Sequence, residues 1–225
     1  MSQFFHTNPA ALPPAGPKGG PWRRELPRTW RAALDLPEPL DQTRIPAGTY
    51  TLGPGQGTLS LRTTRTGAAA KAGHDLLIHV TSWKATLEVG DDPAATRIAL
   101  DADGASLRVR EGTGGMQALG EDDRANIEKT IDDEILKRGA VTFRSTGAEA
   151  GPDGRLRVRG DLTLVGAAQP IAVDLAMSDD GTVVATAVVT QSGWGMKPYS
   201  ILFGTLKVVD EVDVRLEAAL PAAGA

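Results

Sequence analysis

Residues 160–177, GDLTLVGAAQPIAVDLAM, alternate apolar and polar side chains in two runs. Leu162 and Leu164 share one face of the first run, and Ile171, Val173, Leu175 and Met177 share one face of the second. A period of two is that of a β-strand, whose successive side chains point to opposite sides. The pattern predicts a hairpin with its turn between Gly166 and Pro170 and one face turned to a dry interior. The same parity runs upstream, where Leu156 and Val158 alternate with Arg155, Arg157, Arg159 and Asp161. It recurs near the end of the chain, where Val212, Val214, Leu216 and Leu220 alternate with Asp213, Arg215 and Glu217. One wet and one dry face on strand after strand is expected of an antiparallel sheet closed around its own interior.

Short alternating runs broken by Gly, Asp and Pro begin at Ile45. They predict strands near 49–52, 57–66, 74–90 with a bend, 96–110 with a bend at the DADG of 101–104, 140–149, 155–165, 170–178, 182–192 and 206–220. Pro152-Asp153-Gly154 and Asp179-Asp180-Gly181 read as turns, because Asp favours turn starts and Gly tolerates positive φ. One helix interrupts the series at 121–138, EDDRANIEKTIDDEILKR. Its first turn is acidic, Lys137 and Arg138 close it, and Gly139 follows as the C′ residue. The apolar stripe of Ile127, Ile131 and Ile135 is narrow, so the helix packs on the outside of the sheet or caps an opening.

Residues 1–44 do not follow this pattern. Ten of the fifteen prolines precede residue 55, and a segment so interrupted holds neither a strand ladder nor a long helix. The expected organisation is a proline-rich N-terminal extension, 1–44, before one β domain, 45–221. Within the extension Trp22, Leu26, Trp30 and Leu34 recur every four residues, with Arg23, Arg24, Arg28 and Arg31 between them. Two readings stay open: a tail that docks on its own domain or stays unstructured, and a weak membrane-surface or protein contact through Trp22, Arg23, Arg24 and Trp30. A homodimer is also left open.

Charge and composition narrow the function. A net charge of −4 supplies no basic field for nucleic acid. The absence of cysteine removes disulfides, thiol catalysis and cysteine-based metal sites. The N-terminus lacks a basic stretch followed by an apolar run, and no run of about 18 apolar residues occurs, so a cytoplasmic location is expected.

His74 and Asp75 are the conspicuous acid-base candidates. Neighbours on a strand face opposite sides, and so do His74 and His79, five apart, which argues against a shared metal. GPGQGT at 53–58 lacks the strand-to-helix setting of a dinucleotide loop, DADG lacks the ligand positions of a calcium loop, and no serine sits in a G-x-S-x-G elbow. No catalytic residue and no metal site is expected. Trp83, Phe143, Trp194, Tyr199 and Phe203 all lie within the β region, where such rings either build core or border a ligand slot. An eight-stranded barrel is at the size where side chains just fill the lumen or leave room for one ligand.

Several segments together resemble a known family: AGHDLLIHVTSW at 72–83, GTGGMQALGEDDRANIEKTI at 112–131 with VTFRST at 141–146, GDLTLVGAAQPIAVDL at 160–175, and QSGWGMKPYSILFGTLKVVDEVDVRLEAALP at 191–221. They resemble the YceI-like, polyisoprenoid-binding family. The resemblance implies an all-β fold, an antiparallel lipocalin-like β-barrel with one inserted α-helix. It also implies non-enzymatic binding, carriage or sequestration of a long-chain amphiphile such as a polyisoprenoid or fatty-acid-like lipid, with no other cofactor. Lumen contacts are then expected from Leu76, Ile78, Trp83, Leu87, Phe143, Leu162, Leu164, Val173, Leu175, Val212 and Leu216. His74, Lys197 and Tyr199 are expected at the mouth, where a lysine and a phenol suit an anionic head. No signal peptide of the kind many relatives carry is expected at this N-terminus, and the chain carries GTYTLGPGQGTLSL where they open with Trp-x-x-Asp and His-Ser. Two alternatives remain: an enzyme using His74 and Asp75, which a bulge would have to bring together, and an interaction module with a packed, lumen-free barrel that works through the Trp/Arg tail.

Overall fold

The computed structural model describes residues 45–151 and 154–221; Trp22, Arg23, Arg24 and Trp30 lie outside them. In chain order the strands are β1 (Gly48–Leu52), β2 (Gly57–Thr63), β3 (Arg65–Thr66), β4 (His74–Val80), β5 (Trp83–Val89), β6 (Arg97–Asp103), β7 (Leu107–Gly114), β8 (Ala140–Ala150), β9 (Leu156–Leu164), β10 (Ala167–Met177), β11 (Thr182–Thr190), β12 (Ser200–Ile201), β13 (Leu206–Val208) and β14 (Glu211–Ala219). The helix α1 (Glu121–Thr130) stands between β7 and β8.

Every pairing in the large sheet is antiparallel, and the partners reveal eight wall segments. Residues 48–63 carry β1 and β2, 74–89 carry β4 and β5, and 97–114 carry β6 and β7. In the first pair of segments β1 joins β5 and β2 joins β4; in the next, β4 joins β7 and β5 joins β6. The meander continues β6–β8–β9–β10–β11–β14, and β14 returns to β2. Each wall segment thus pairs with its neighbours in sequence and the last pairs with the first, which is a closed up-and-down barrel. A second, small sheet has the order β12–β13–β3.

The two expected bends are where long strands break. At the corner between β4 and β5, Thr81 N donates to Ser106 O, and Asp103 N donates to Ser82 O. Ser106 Oγ accepts from Ser82 N at 3.0 Å and donates to Asp103 O at 2.7 Å. A buried hydroxyl therefore takes over bonds that a straight ladder would have made.

Alternation in the sequence becomes alternation of burial. Along β9, Leu156, Val158, Gly160, Leu162 and Leu164 are buried, while Arg157, Arg159 and Asp161 are exposed. The outward charges meet across strands, as in Arg157 with Asp174 and Arg159 with Glu149; being exposed, such pairs add little stability.

Three local expectations are corrected. The hairpin turn is tighter than Gly166–Pro170: Leu164 pairs with Ala167, leaving Val165 and Gly166, both at positive φ, as a two-residue loop. Pro170 lies inside β10, tolerated because β10 joins β11 only from Asp174 onward. The helix is α-helical only to Thr130 and finishes as a π turn over Ile131–Ile135. Its left-handed residues are Lys137 and Arg138 rather than Gly139, with Arg138 Nε donating to Asp133 Oδ1 at 2.8 Å. The wider π turn lets Ile131, Ile135 and Leu136 all face inward.

Candidate ligand cavity

Two clusters of buried side chains form the interior. One gathers around Phe143, Leu162, Leu175 and Trp194, the other around Leu59, Ile78, Trp83 and Leu107. Leu100, Leu136, Ala185, Val214 and Leu220 touch both. Between the clusters runs a cavity of about 260 Å³, with a lining that is almost wholly aliphatic. Polar groups are confined to a few sites, including Thr63, Gln191 and Tyr199. Tyr199 both lines the cavity and is 42% exposed, so the cavity reaches the surface there. Among the described residues the barrel therefore holds a lumen; the Trp/Arg tail of the interaction-module alternative lies outside them.

One side of the lumen is closed by the helical segment. Ile131, Ile135 and Leu136 line the cavity, and Glu128 Oε1 accepts from Val109 N at 2.7 Å. The carboxylate thereby satisfies a backbone donor on β7 that has no further strand beside it. Ile127 packs against the second cluster. Capping, one of the two expected roles of the helix, is the one observed.

Nine of the eleven residues expected in the lumen line the cavity: Ile78, Leu87, Phe143, Leu162, Leu164, Val173, Leu175, Val212 and Leu216. Leu76 and Trp83 do not. Trp83 points inward with Ala85 and Leu87, but it stands at the corner and is buried in the second cluster, its Nε1 without a hydrogen-bond partner. Leu76 packs into the same cluster, as does Leu119 from the loop after β7.

Of the three residues expected at the mouth, Tyr199 alone touches the cavity. Lys197 is exposed on the segment that carries Tyr199. His74 is turned to the loop after β7, its Nε2–H donating to Gln117 O at 2.9 Å. Asp75 is committed elsewhere: its Oδ1 accepts from Arg65 N at 2.8 Å, and its Oδ2 lies 3.0 Å from Arg65 Nη1. The bulge in the β4–β7 ladder falls between Leu77 and Ile78, too far along to turn His74 and Asp75 to one side. The pair has separate structural partners, so the acid-base arrangement that an enzyme reading needs is not assembled.

His79 faces outward between Ser60 and Arg108. Partial burial and the nearby Arg110 hold its pKa below the ordinary histidine value, against a smaller opposing effect of Glu111.

Sequence parity missed several lining residues. Leu52, Leu59 and Leu61 carry the same alternation and were findable by it. Gln191 and Met196, in a short helical turn and the loop after it, were not. Gln191 is buried with its amide donating to Val209 O and Asp210 O at 3.1 and 3.3 Å, which fixes the segment between β11 and β14 at the mouth.

Residues 50–220 match the family described as the YceI-like domain. Among solved structures, BcnA of Burkholderia cenocepacia is similar at 15% identity and a TM-score of 0.52, over 74% of this chain and 97% of that one; this likeness shows the fold. A polyisoprenoid-binding domain from Saccharophagus degradans, implicated in plant cell wall breakdown, matches at 10% identity and a TM-score of 0.46, over 78% of this chain and 100% of that one. A comparison with curated proteins gives no match. Among the described residues no helix is long and apolar enough to cross a membrane.

Proposed function

Since the chain belongs to the YceI-like domain family, we propose that it binds and carries an amphiphile, with the apolar tail in the lumen and the polar head at Tyr199. The observation that supports this reading is the aliphatic cavity that runs from the capping helix to an exposed phenol. Binding needs no catalytic group, and none is invoked.

The cavity volume bounds the tail. An apolar cavity of about 150 Å³ accepts benzene, so by proportion about 260 Å³ accepts roughly ten carbons. A longer isoprenoid or acyl chain would project past Tyr199 or displace Ile135 and Leu136. At about 0.8 kcal/mol per buried CH₂, ten carbons yield about 8 kcal/mol. Association costs are of the same order, so a bare tail binds weakly and the head decides affinity. Lys197 and Tyr199 are the proposed head contacts, which favours an anionic or hydroxylated head.

The test is titration of the full chain with an apolar fluorophore small enough for the cavity, 1-naphthylamine, followed by displacement with decanol, decanoate and longer homologues. Enhanced fluorescence with saturable displacement is expected for the native chain. Ala185→Phe, which fills the lumen from β11, should lose the signal while keeping the β-sheet circular dichroism. If the folded native chain gave no signal, or Ala185→Phe bound the fluorophore as well as the native chain, the proposal would fall.

A further inference from the structure

Large apolar side chains are exposed at few of the described positions, and four of the five gather at the mouth end: Met116, Tyr199, Ile201 and Phe203, with Val188 the exception on the outer wall. The connections that bring the four to one end are explicit. β13 pairs with both β12 and β3. Arg65 Nη1 donates to Thr113 O at 2.8 Å, and His74 is held to Gln117 O. The loop with Met116, the β12–β13 hairpin and the 65–73 segment therefore surround the same opening that Tyr199 borders.

Phe203 is the extreme case. It is fully exposed at the apex of the β12–β13 hairpin, and its φ of 54° is a left-handed conformation that phenylalanine rarely adopts. Gly204 follows at φ 85°. A hairpin that holds an aromatic ring out in water at a conformational cost gains nothing for its own core.

Charge supplies the second, independent observation. Residues 63–73, 112–119 and 191–210, the segments around the opening, contain Arg65, Lys71, Lys197 and Lys207 against one acid, Asp210, whose carboxylate accepts from Ser192 N and Oγ. The whole chain is nonetheless acidic, at −4. With Arg65 paired to Asp75, three lysines remain around the exposed apolar tip. Apolar side chains that enter the acyl boundary and lysines that meet lipid phosphates are the two components of interfacial membrane binding.

We propose that the mouth end docks on an anionic lipid bilayer, with Phe203 and Ile201 inserted and Lys197 and Lys207 against the headgroups, so that the amphiphile enters from the membrane at Tyr199. The inference deepens the carrier reading by naming the source of its ligand. The docking surface itself rests on exposure and charge, which can be measured apart from the lumen.

The test is flotation of the full chain with phosphatidylcholine vesicles, with and without phosphatidylglycerol. The native chain should float with the anionic vesicles and be released at high salt. Phe203→Asn with Ile201→Ser should weaken flotation about tenfold, and Lys197→Glu with Lys207→Glu by at least as much. Asn suits the left-handed position, so the first pair of substitutions keeps the fold. Val188→Ser should float like the native chain. 1-Naphthylamine binding without vesicles should be unchanged in Phe203→Asn with Ile201→Ser, neither of which lines the cavity. A native chain that fails to float on anionic vesicles, or flotation that survives Phe203→Asn with Ile201→Ser, overturns the proposal. A chain that floats as expected but takes up no fluorophore supports the docking surface and overturns the lumen reading instead.

Discussion

Gly160 shows how much one position on the wall carries. It faces inward between Leu162 and Val158, and an added Cβ would lie 2.6 Å from the Phe143 ring and 2.5 Å from Arg144 O. The ring lies over the glycine, and the backbone oxygen belongs to the paired strand β8, so the neighbour cannot simply rotate away. Gly160→Ala should therefore destabilise the barrel by about 1–3 kcal/mol, the usual cost of overpacking, read as a lower denaturant midpoint with an unchanged slope. His79 yields a second prediction. Its folded pKa lies below 6.5, the ordinary value, so at acidic pH the unfolded chain binds the proton more readily than the native one. Stability fully present above about pH 6.5 is thus lost progressively as pH falls below that value and through the lowered folded pKa. His79→Gln should flatten this part of the stability-pH curve, measured by denaturation at a series of pH values.

At the scale of elements, the capping segment closes one side of the lumen. Leu136 touches both core clusters and lines the cavity, and Gly104 leaves just enough room for it, since an added Cβ there would meet its Cδ1 at 3.0 Å. Leu136→Ala, at a half-buried position, should cost about 0.5–3 kcal/mol and enlarge the cavity, shifting the preferred tail in a homologous alcohol series to longer chains. Displacement titration across that series checks it. This element also marks the limit of what the sequence makes legible. Alternation identified the strands and most of the inner wall, because parity along a strand is a local property that burial on one face enforces. The π turn accompanies the packing of Ile131, Ile135 and Leu136 against the two core clusters, which no periodicity of 121–138 encodes. The tight loop at Val165-Gly166 was hidden for a similar reason: a β-branched residue at positive φ contradicts local preference and persists because the paired strands impose it. Leu76 and Trp83 have inward parity, yet a corner and a covering loop remove them from the lumen. Parity tells which face a side chain takes and says nothing of how far along the barrel axis the empty space extends.

At the scale of the barrel, the described residues form a closed wall around a core that leaves an apolar cavity between its two clusters. The two clusters meet only through half-buried side chains such as Leu100, Ala185 and Val214, and the cavity occupies the space where a packed barrel of this size would have interdigitated. An apolar tail in that space contacts both clusters at once, so its binding should couple to global unfolding rather than to one strand. At a free ligand concentration of about a hundred times Kd, mass action adds about 2.7 kcal/mol to the native state, which in a domain of this size raises Tm by several degrees. Thermal unfolding with rising decanol should therefore shift the single transition upward without broadening it. In Ala185→Phe the same titration should produce no shift, because the substituted ring already occupies the space between the clusters. An equal shift in both proteins would mean that decanol acts outside the lumen, and the barrel would then have to be regarded as stable without a guest.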